Sequence, residues 1–552
     1  MTSAIDAGRA DLQAFAAAQV KSYWEADLHF QRVLRFRAGE AEVSGWEDEL
    51  ERFGAEAAQG AEAAVQLNNR PEHLPALERW GPYGERIEAV NFHPSYHEAG
   101  ALIYGSGVMA VLEEPAANLA SLARFYLSAH NGEAGHNCPL ACTAGVIKSL
   151  QALGDPGLQA RFLPRLLSRD YGELAHGAQF LTEVQGGSDV GANAVRAWQD
   201  AEGAWRVSGE KWFCSNATAD LILMTARPEG APEGTAGLGL FLVPRRLEGG
   251  ALNAYTLRRL KEKLGTRTMA SAEIDFEGAL AYPLGPLDQG FKNMMTHVIT
   301  TSRVFNAVAT AGAARRACLI AHSYAQRRRA FGPPIASYPL VQETLADMRA
   351  ETAAMVSGTF QIIALLDRVE AGTASEEEAG FLRVAINLNK MRTAQSAHEV
   401  ILSGIEILGG NGAIESFSAL PRLLRDNVVY ENWEGTHNVL LNQVLRDAQR
   451  LGVHRPFFAG LARAAEGDAR LAAAVGEAQA AFDRLLAAPA DLATLQMRAL
   501  GGRLAWLQWA LAMREDGSDP ALIAQLLDRR VGPAAARDAT YLARVAALSR
   551  AP

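Results

Sequence analysis

Cysteine and long apolar runs are both scarce in this chain. Only four cysteines occur among 552 residues, at positions 138, 142, 214 and 318, which excludes the disulfide framework of a small secreted protein. The amino terminus, M-T-S-A-I-D-A-G-R-A-D-L, has no apolar core of an export signal. No apolar run is long enough to span a bilayer. We therefore expect a cytoplasmic protein without a membrane span.

An excess of positive charge is lacking as well. The formal net charge is -9 at pH 7, which argues against a protein that works mainly by coating nucleic-acid phosphates. Apolar residues make up 49% of the chain, a fraction typical of globular rather than disordered proteins. A chain of 552 residues is too long for one hydrophobic core, so several domains are expected.

The pattern of apolar residues changes from helical to β-rich near residue 178. Ala- and Leu-rich segments with helical spacing cover about 99–170. Short segments rich in β-formers and bounded by Gly or Pro follow, and they predict a β-domain. These predicted strands lie within 205–213, 221–227, 238–244 and 271–278. The loop 227–237 is expected to be an exposed connection.

Helical spacing returns after Gly290. Ser375 is the expected N-cap of the segment that follows it, with Glu378 completing a capping box. A final Ala-, Arg- and Leu-rich stretch from about 455 to the end is also predicted to be helical. The three long helical segments in between are 291–330, 339–370 and 376–408.

The segment Q-F-L-T-E-V-Q-G-G-S-D, residues 179–189, offers the first binding chemistry. Thr182 and Ser188 supply hydroxyl groups, and Gly186 and Gly187 let backbone N–H groups approach a ligand closely. Such a segment suits a pyrophosphate or the edge of a flavin. The alternative is an ordinary Gly-rich turn before a strand.

Two further segments combine aromatic with polar or basic residues. In E-K-W-F-C-S-N (210–216), Phe213, Cys214 and Ser215 occupy consecutive strand positions. They would either flank a planar cofactor or form a half-buried strand. In R-R-R-A-F-G-P-P-I (327–335), the arginine forks match phosphate oxygens. The alternative there is a solvated helix end.

Two Gly-containing turns follow closer to the carboxyl end. E-I-L-G-G-N-G (406–412) fails the G-x-G-x-x-G pattern, so a Rossmann dinucleotide fold is not supported. Gly409 and Gly410 instead indicate a helix end. In N-W-E-G-T-H-N (432–438), the acid Glu434 follows Trp433 at a turn. Without further context it would be a surface acid near a helix start.

Taken in order, these segments resemble the acyl-CoA dehydrogenase family, and the resemblance covers roughly residues 85–447. The family pattern is T-E-x-x-x-G-S-D, K-x-W-[IV]-[TS]-N, K-x-G-x-R, R-x-x-F-G, G-G-x-G and E-G-T. It is matched here at Thr182–Asp189, Lys211–Asn216, 263–267, Arg328–Gly332, Gly409–Gly412 and Glu434–Thr436. Several other segments resemble the AidB-like subgroup, that of the alkylation-response protein. They are 86–97, 132–140, 337–340, 420–425 and W-E-G.

The resemblance implies an α+β multidomain fold in four parts. An N-terminal helical domain is expected at 1–177, a middle antiparallel β-domain at 178–287 and a C-terminal four-helix domain at 288–447. The AidB-like subgroup adds an extra C-terminal helical domain, here 448–552.

The resemblance also implies a bound FAD and an acyl-CoA substrate. Ser215 would hydrogen-bond near flavin N5, and Phe213 would cover the flavin. Arg328 and Phe331 would reach the FAD of a neighbouring subunit, as in a homotetramer built as a dimer of dimers. The implied FAD-binding residues are Phe180, Leu181, Thr182, Gly187, Ser188, Phe213, Cys214, Ser215, Arg328, Phe331, Gly409, Gly410, Thr436 and Asn438. The implied substrate-binding residues are Ser188, Arg303, Trp433 and Gly435.

By the same resemblance, Glu434 is the catalytic base of an α,β-dehydrogenation. It would take the α-proton of the thioester while a hydride leaves the β-carbon for flavin N5, and an electron-transferring flavoprotein would accept the electrons. Some relatives carry the base on an earlier helix, where this chain has Ser302, which is no base. Trp433 stands where the family has Tyr and would narrow the acyl site.

The alternative is an AidB-like flavoprotein that binds double-stranded DNA through its last domain, with little dehydrogenase turnover. Residues 450–552 contain thirteen arginines against ten acidic residues, a net charge of +3. This excess is mild, and the interleaved acids favour a solvated helical face. His93 and His97, like Cys138 and Cys142, lie four residues apart, but packing is the expected role and no metal site is predicted.

Overall fold

The computed structural model describes residues 4–532 and 535–552. Residues 1–3 and 533–534, which belong to the first and last predicted domains, lie outside the described residues. The chain forms two compact units. The first comprises Met1–Gln59, Asn118–Gly132 and Asn306–Pro552, and the second comprises Gly60–Ala117 and Glu133–Phe305. The bounds of the four predicted domains stay a prediction.

Helices form most of the chain. The first eight are α1 (Ala4–Ala17), α2 (Leu28–Ala38), α3 (Glu40–Glu56), α4 (Glu62–Asn68), α5 (Pro94–Gly105), α6 (Asn118–Ala129), α7 (Asn137–Leu153) and α8 (Pro156–Leu166). The next six are α9 (Gly290–Asn293), α10 (Thr300–Arg327), α11 (Pro339–Glu370), α12 (Glu376–Leu408), α13 (Leu420–Asn432) and α14 (His437–Leu451). The last five are α15 (His454–Ala464), α16 (Ala469–Ala487), α17 (Ala490–Glu515), α18 (Pro520–Leu526) and α19 (Ala539–Leu548).

The three long helical segments predicted after Gly290 are confirmed. The first is interrupted only by a π-helical segment, Met294–Ile299. α12 begins with the predicted capping box: the Ser375 hydroxyl accepts from the Glu378 backbone N–H, and the Glu378 side chain accepts from the Ser375 N–H. The helix ends at Gly409, whose φ of 60° suits a residue without a Cβ.

The strands are β1 (Ala76–Trp80), β2 (Arg86–Asn91), β3 (Gly177–Phe180), β4 (Arg196–Gln199), β5 (Trp205–Ser215), β6 (Leu221–Pro228), β7 (Gly239–Pro244), β8 (Tyr255–Leu260) and β9 (Ser271–Pro283). The four predicted strands correspond to β5, β6, β7 and β9. The sequence patterns did not predict the antiparallel β1–β2 hairpin inside the helical first part, or the strands β3, β4 and β8.

The second unit is organised around one seven-stranded sheet, in the order β3-β6-β4-β5-β9-β7 with β8 paired to β9. β7 also pairs with β6, so the run from β6 to β7 closes on itself like a small barrel. Most pairs are antiparallel as predicted, whereas β3 and β4 run parallel to β6. Phe180, Met224 and Phe241 are among the buried residues of its apolar core.

The first unit is organised around α11 and α12. The later helices pack on them, and a buried indole shows how closely. Trp509 of α17 is fully buried, and its Nε1 donates to Asn389 Oδ1 on α12 at 2.8 Å. A Cβ at Gly358 of α11 would lie only 2.0 Å from the Trp509 ring, so glycine makes room for the indole. Among the described residues, no helix combines the length and apolarity needed to cross a membrane.

The first prediction concerns His130, a buried neutral imidazole of the first unit. Burial lowers its pKa to about 4, and its ring stacks on Tyr23 with centroids 4.5 Å apart. Since the unfolded-state pKa is about 6.5, the neutral form stabilises the fold above that pH. The contribution is lost as the pH falls towards 4, by up to about 1.4 kcal/mol per pH unit. Urea unfolding between pH 7.5 and 4 measures this slope. His130→Phe is expected to make the slope shallower without abolishing it, because burial also lowers the pKa values of His29, His136 and His176. An unchanged slope would contradict the assignment.

Candidate active site

A buried ion pair joins the first two sequence motifs in the second unit. Lys211 Nζ on β5 lies 2.7 Å from Glu183 Oε1, and the two side chains are 0% and 3% exposed. The same ammonium donates to the Leu181 carbonyl oxygen at 3.3 Å. Burial lowers the pKa of Lys211, and the Glu183 carboxylate partly offsets that shift. The pair therefore fixes the loop after β3 against β5.

Glu183 also accepts hydrogen bonds further along this loop. The backbone N–H groups of Ala194 and Val195 donate to its carboxylate at 2.6 and 3.4 Å. A Cβ at Gly187 would come within 2.7 Å of Thr182 Oγ1, so only glycine lets the backbone lie against that hydroxyl. Ser188 is exposed. The first predicted segment is thus a defined loop that presents hydroxyl and backbone groups.

The second segment occupies strand β5 as predicted, but its side chains differ in burial. Cys214 is fully buried in the sheet core, and burial raises the pKa of its thiol. Phe180, at the end of β3, is also fully buried. Both can therefore offer a ligand only backbone groups. Phe213 is half-buried, and its ring centre lies 5.5 Å from the Lys261 ammonium.

The K-x-G-x-R motif, here K-L-G-T-R at 263–267, is linked to strand β5 through serine hydroxyls. Ser215 Oγ lies 3.3 Å from Ser271 Oγ, and Lys263 Nζ donates to Ser271 Oγ at 2.9 Å. Lys263 also donates to the Met269 carbonyl oxygen at 2.6 Å. The structure thus brings the motifs at 182–189, 211–216 and 263–267 together in the second unit. Arg303 on α10 is in the same unit and is buried, 6% exposed.

Glu434 lies in the first unit, on the turn between α13 and α14. Its φ is 56° and that of Gly435 is 105°. A positive φ is uncommon for a residue other than glycine and strains its backbone. Trp433 packs edge-on against the buried Tyr430, with ring centroids 5.2 Å apart. Thr436 is the N-cap of α14, but its hydroxyl makes no capping hydrogen bond.

Buried and half-buried polar groups surround this turn. Lys390 of α12 is fully buried and donates to the carbonyl oxygens of Glu431 and Gly435 at 3.1 and 3.0 Å. His398 Nδ1 and His437 Nε2 lie 2.7 and 3.2 Å from the Glu431 carboxylate. Burial raises the pKa of Glu431, but these histidines outweigh it and the net shift is downward.

Lys390 and the contacts of Glu431 and His437 were not predicted from the sequence. The available signal was weak: a single lysine within a long helical segment, 44 residues before Glu434. Asn438, predicted to bind the cofactor, is exposed and accepts from Arg498 Nη2 at 3.0 Å.

The R-x-x-F-G segment forms a stable loop that presents an aromatic ring. Phe331 is 98% exposed with φ 56°, while the Tyr338 hydroxyl donates to the Ala330 carbonyl at 2.7 Å. The Ile335 N–H donates to the Arg328 carbonyl at 2.9 Å. Within residues 4–532 and 535–552, the Arg328 guanidinium has neither a hydrogen-bond nor an ion-pair partner. Gly409 and Gly410 are exposed at the end of α12.

The arginines of the last helices are largely engaged inside the first unit. Arg529 and Arg530 pair with Asp347 and Glu351 of α11 at 2.9 and 2.8 Å. Further ion pairs of this region are formed by Arg463, Arg470, Arg503, Arg537 and Arg544. In the described part of the chain, no three His, Cys, Asp or Glu side chains come together to hold a metal ion.

Three family models match consecutive stretches of the chain. They are the adaptive response protein AidB N-terminal domain at 15–173, the acyl-CoA dehydrogenase middle domain at 178–279 and the acyl-CoA dehydrogenase C-terminal domain at 288–449. The acyl-CoA dehydrogenase family member 11 of Caenorhabditis elegans is 33% identical over 77% of this chain and 70% of its own length. AidB of Escherichia coli is 32% identical over 73% of this chain and 75% of its own.

A solved structure supports the same conclusion. The C. elegans ACDH-11 structure in complex with C11-CoA superposes with a TM-score of 0.84 at 28% identity, covering 96% of this chain and 95% of that chain. The chain therefore belongs to the acyl-CoA dehydrogenase family of FAD-binding oxidoreductases, with an AidB-type amino-terminal domain. The resemblance in sequence and the predicted fold class are confirmed.

The residues present fit an FAD on their chemistry. A pyrophosphate is rich in acceptor oxygens, and the predicted segments offer donors: the Thr182 and Ser188 hydroxyls, the backbone beside Gly187, and the Arg328 guanidinium. The Thr436 hydroxyl is also not used in a helix cap. The individual residue assignments stay predictions.

The second prediction tests the Glu183–Lys211 pair. Lys211→Met leaves the Glu183 carboxylate buried without its cation, which is expected to lower the free energy of unfolding by about 3–5 kcal/mol. The double variant Lys211→Met/Glu183→Gln carries no unpaired charge, so it should be less destabilised than Lys211→Met alone. Urea or thermal unfolding provides the comparison. A double variant at least as unstable as the single one would show that the charge is not the cause.

Proposed function

We propose that the protein catalyses the FAD-dependent α,β-dehydrogenation of an acyl-CoA thioester, with Glu434 as the base. The observation that carries this proposal is the backbone at Glu434. A non-glycine residue held at positive φ in the E-G-T turn, beside Trp433 and Tyr430, is strained. Such strain persists only where the surrounding structure determines it, and it is concentrated at functional sites.

Glu434 performs the proton transfer in this proposal. The α-proton of a thioester is too weakly acidic for a free carboxylate, so charge developing on the thioester oxygen must be stabilised by hydrogen-bond donors. We assign one such donor to the backbone N–H of Glu434 itself. The carboxylate removes the α-proton and holds it, while bound FAD supplies the acceptor for the hydride that leaves the β-carbon.

Trp433 and Arg303 are proposed to bind the substrate, with Ser188 and Gly435. The Trp433 ring is fixed by its edge-on contact with Tyr430, so it would limit the width of the acyl site. Arg303 carries a permanent charge suited to the anionic CoA end. The ACDH-11 relative is in complex with C11-CoA, which supports an acyl-CoA as the substrate class.

We further propose a homotetramer, arranged as a dimer of dimers, and an electron-transferring flavoprotein as the acceptor. The support for the assembly is the loop Arg328–Gly332. An aromatic ring that is 98% exposed on a well hydrogen-bonded loop suits insertion into another subunit. The neighbouring Arg328 would then meet an anionic group of the FAD bound there.

The DNA-binding alternative has less support. The arginines that would contact phosphates form ion pairs within the first unit, as Arg529 and Arg530 do with Asp347 and Glu351. A guanidinium engaged by a carboxylate must lose that partner before it binds a phosphate. The dehydrogenase is therefore the preferred proposal.

The third prediction tests the proposed base. Glu434→Gln keeps the shape of the side chain but removes the proton acceptor. The rate of flavin reduction by acyl-CoA should therefore fall by about 10²–10⁴-fold, with FAD still bound. Anaerobic titration with acyl-CoA thioesters, followed at the flavin absorbance, is the measurement.

Glu376→Gln, an exposed carboxylate in the first turn of α12, is the matched control and should behave as wild type. Flavin reduction by Glu434→Gln at the wild-type rate would rule out Glu434 as the base. Failure of the wild type to reduce its flavin with any acyl-CoA would refute the proposed function itself.

The fourth prediction tests the exposed loop. Phe331→Ala removes the ring proposed to contact a neighbouring subunit. FAD retention on dilution should therefore weaken about tenfold or more, with a shift to smaller species in sedimentation. Leu340→Ala, which truncates another exposed apolar side chain (79% exposed), is the control. Equal FAD retention by both variants would argue against the loop as a subunit contact.

A further inference from the structure

The turn that carries Glu434 is held by hydrogen bonds at both of its ends. α13 ends at Asn432 and α14 begins at His437, so four residues, Trp433 to Thr436, connect the two helices. Two of these four have positive φ, and one of the two is not glycine. A connection of this kind has no ladder of backbone hydrogen bonds to define it, so other groups must fix its shape.

The first set of these hydrogen bonds is donated by the Lys390 ammonium. It donates to the Glu431 carbonyl oxygen, near the end of α13, and to the Gly435 carbonyl oxygen, directly after Glu434. The side chain is 0% exposed. A buried ammonium needs such acceptors, because losing them would leave an unsatisfied charge in the interior. The two carbonyls bracket Glu434 in sequence and are fixed by one group from a different helix.

A second set of hydrogen bonds, between side chains, spans the same turn. The Glu431 carboxylate accepts from His437 Nε2 at 3.2 Å and from His398 Nδ1 at 2.7 Å. Glu431 and His437 flank the turn, and His398 is on α12, eight residues after Lys390. α12 is therefore the support from which both ends of the turn are held.

We propose that Lys390 is a positioning residue, which sets the place and direction of the Glu434 carboxylate through the backbone of its turn. The inference rests on the proposed role of Glu434 as the base. Lys390 does not take part in the proton transfer. Its effect is geometric: without the ammonium, the Gly435 carbonyl is released and the strained φ of Glu434 relaxes. A misplacement of about 1 Å at a reacting group costs about 100-fold in rate.

The fifth prediction uses Lys390→Met, which keeps most of the side-chain length but removes the donors. The rate constant for flavin reduction by acyl-CoA is expected to fall about 100-fold. Acyl-CoA binding, measured by perturbation of the flavin spectrum, should weaken much less than the rate falls, because Ser188 and Arg303 are outside the turn and only Trp433 and Gly435 are on it. FAD content should stay within about threefold of wild type. Lys390→Arg retains donors and should recover part of the rate.

The second readout does not depend on activity. Hydrogen–deuterium exchange of peptides covering 430–440 should be about tenfold faster in Lys390→Met than in wild type, because the turn opens more often. Thr393→Val is the matched control on the same helix. Its hydroxyl is buried and donates to the carbonyls of Asn389 and Lys390 on its own helix. This control should show neither faster exchange at 430–440 nor the loss of rate.

The outcomes separate this inference from the proposed function. A folded Lys390→Met enzyme that reduces its flavin at the wild-type rate overturns the positioning role and leaves the proposed function intact. If wild type fails to reduce its flavin with acyl-CoA, the proposed function fails. Exchange at 430–440 then decides the inference, and exchange unchanged by the substitution overturns it. Should Lys390→Met not fold, Lys390→Gln provides the same comparison, since its amide donates to one carbonyl and an intermediate effect is expected.

Discussion

A buried ammonium group must find its hydrogen-bond acceptors inside the protein, and this requirement shapes one segment in each of the two units. Lys211 and Lys390 are each 0% exposed. Lys211 binds the Glu183 carboxylate and the Leu181 carbonyl, and Lys390 binds the Glu431 and Gly435 carbonyls. In the second unit both acceptors belong to the loop after β3, and in the first unit they lie on the last turn of α13 and in the turn that carries Glu434. One charge thus fixes backbone that neither helix nor sheet hydrogen bonds define.

Apolar packing alone would not hold these segments as well. The loop after β3 is rich in polar and glycine residues, and Ser188 and Gly187 are exposed, so little apolar surface is available there. Dispersion contacts are also non-directional, whereas a charged donor sets both the distance and the direction of a carbonyl. Burying Lys211 and Glu183 costs desolvation free energy. The fold tolerates this cost because both groups are hydrogen-bonded.

Much of the fold could be predicted from the sequence, because long helices and the longer strands have clear apolar periodicity. α11, α12 and the capping box at Ser375 are examples. The β1–β2 hairpin was missed because its strands are short and only half-buried. The parallel pairing of β3 and β4 with β6 depends on contacts distant in sequence, which local patterns do not contain.

The candidate site, like the fold, could be predicted from the sequence only in part. The positions of the motifs could be predicted, but the directions of their side chains could not. β5 has a register shift between Lys211 and Cys214, which breaks the simple alternation that would have assigned Phe213, Cys214 and Ser215 to opposite faces. Lys390 could not be identified either, because a lysine in a helix is usually solvated and only its tertiary surroundings reveal two carbonyl acceptors.

The net charge of the last helices likewise does not show whether they can bind phosphates. A net charge of +3 over residues 450–552 suggests a surface for phosphates only if the guanidinium groups are available. Arg530 instead lies over Trp506, 5.2 Å from the ring centre, and pairs with Glu351, which is 4% exposed. Burial raises the pKa of Glu351, but Arg530 and Arg392 outweigh it. This carboxylate therefore depends on the arginine for its charged state, and neutralising Arg530 would disturb the packing on α11 before it tested any contact with a nucleic acid.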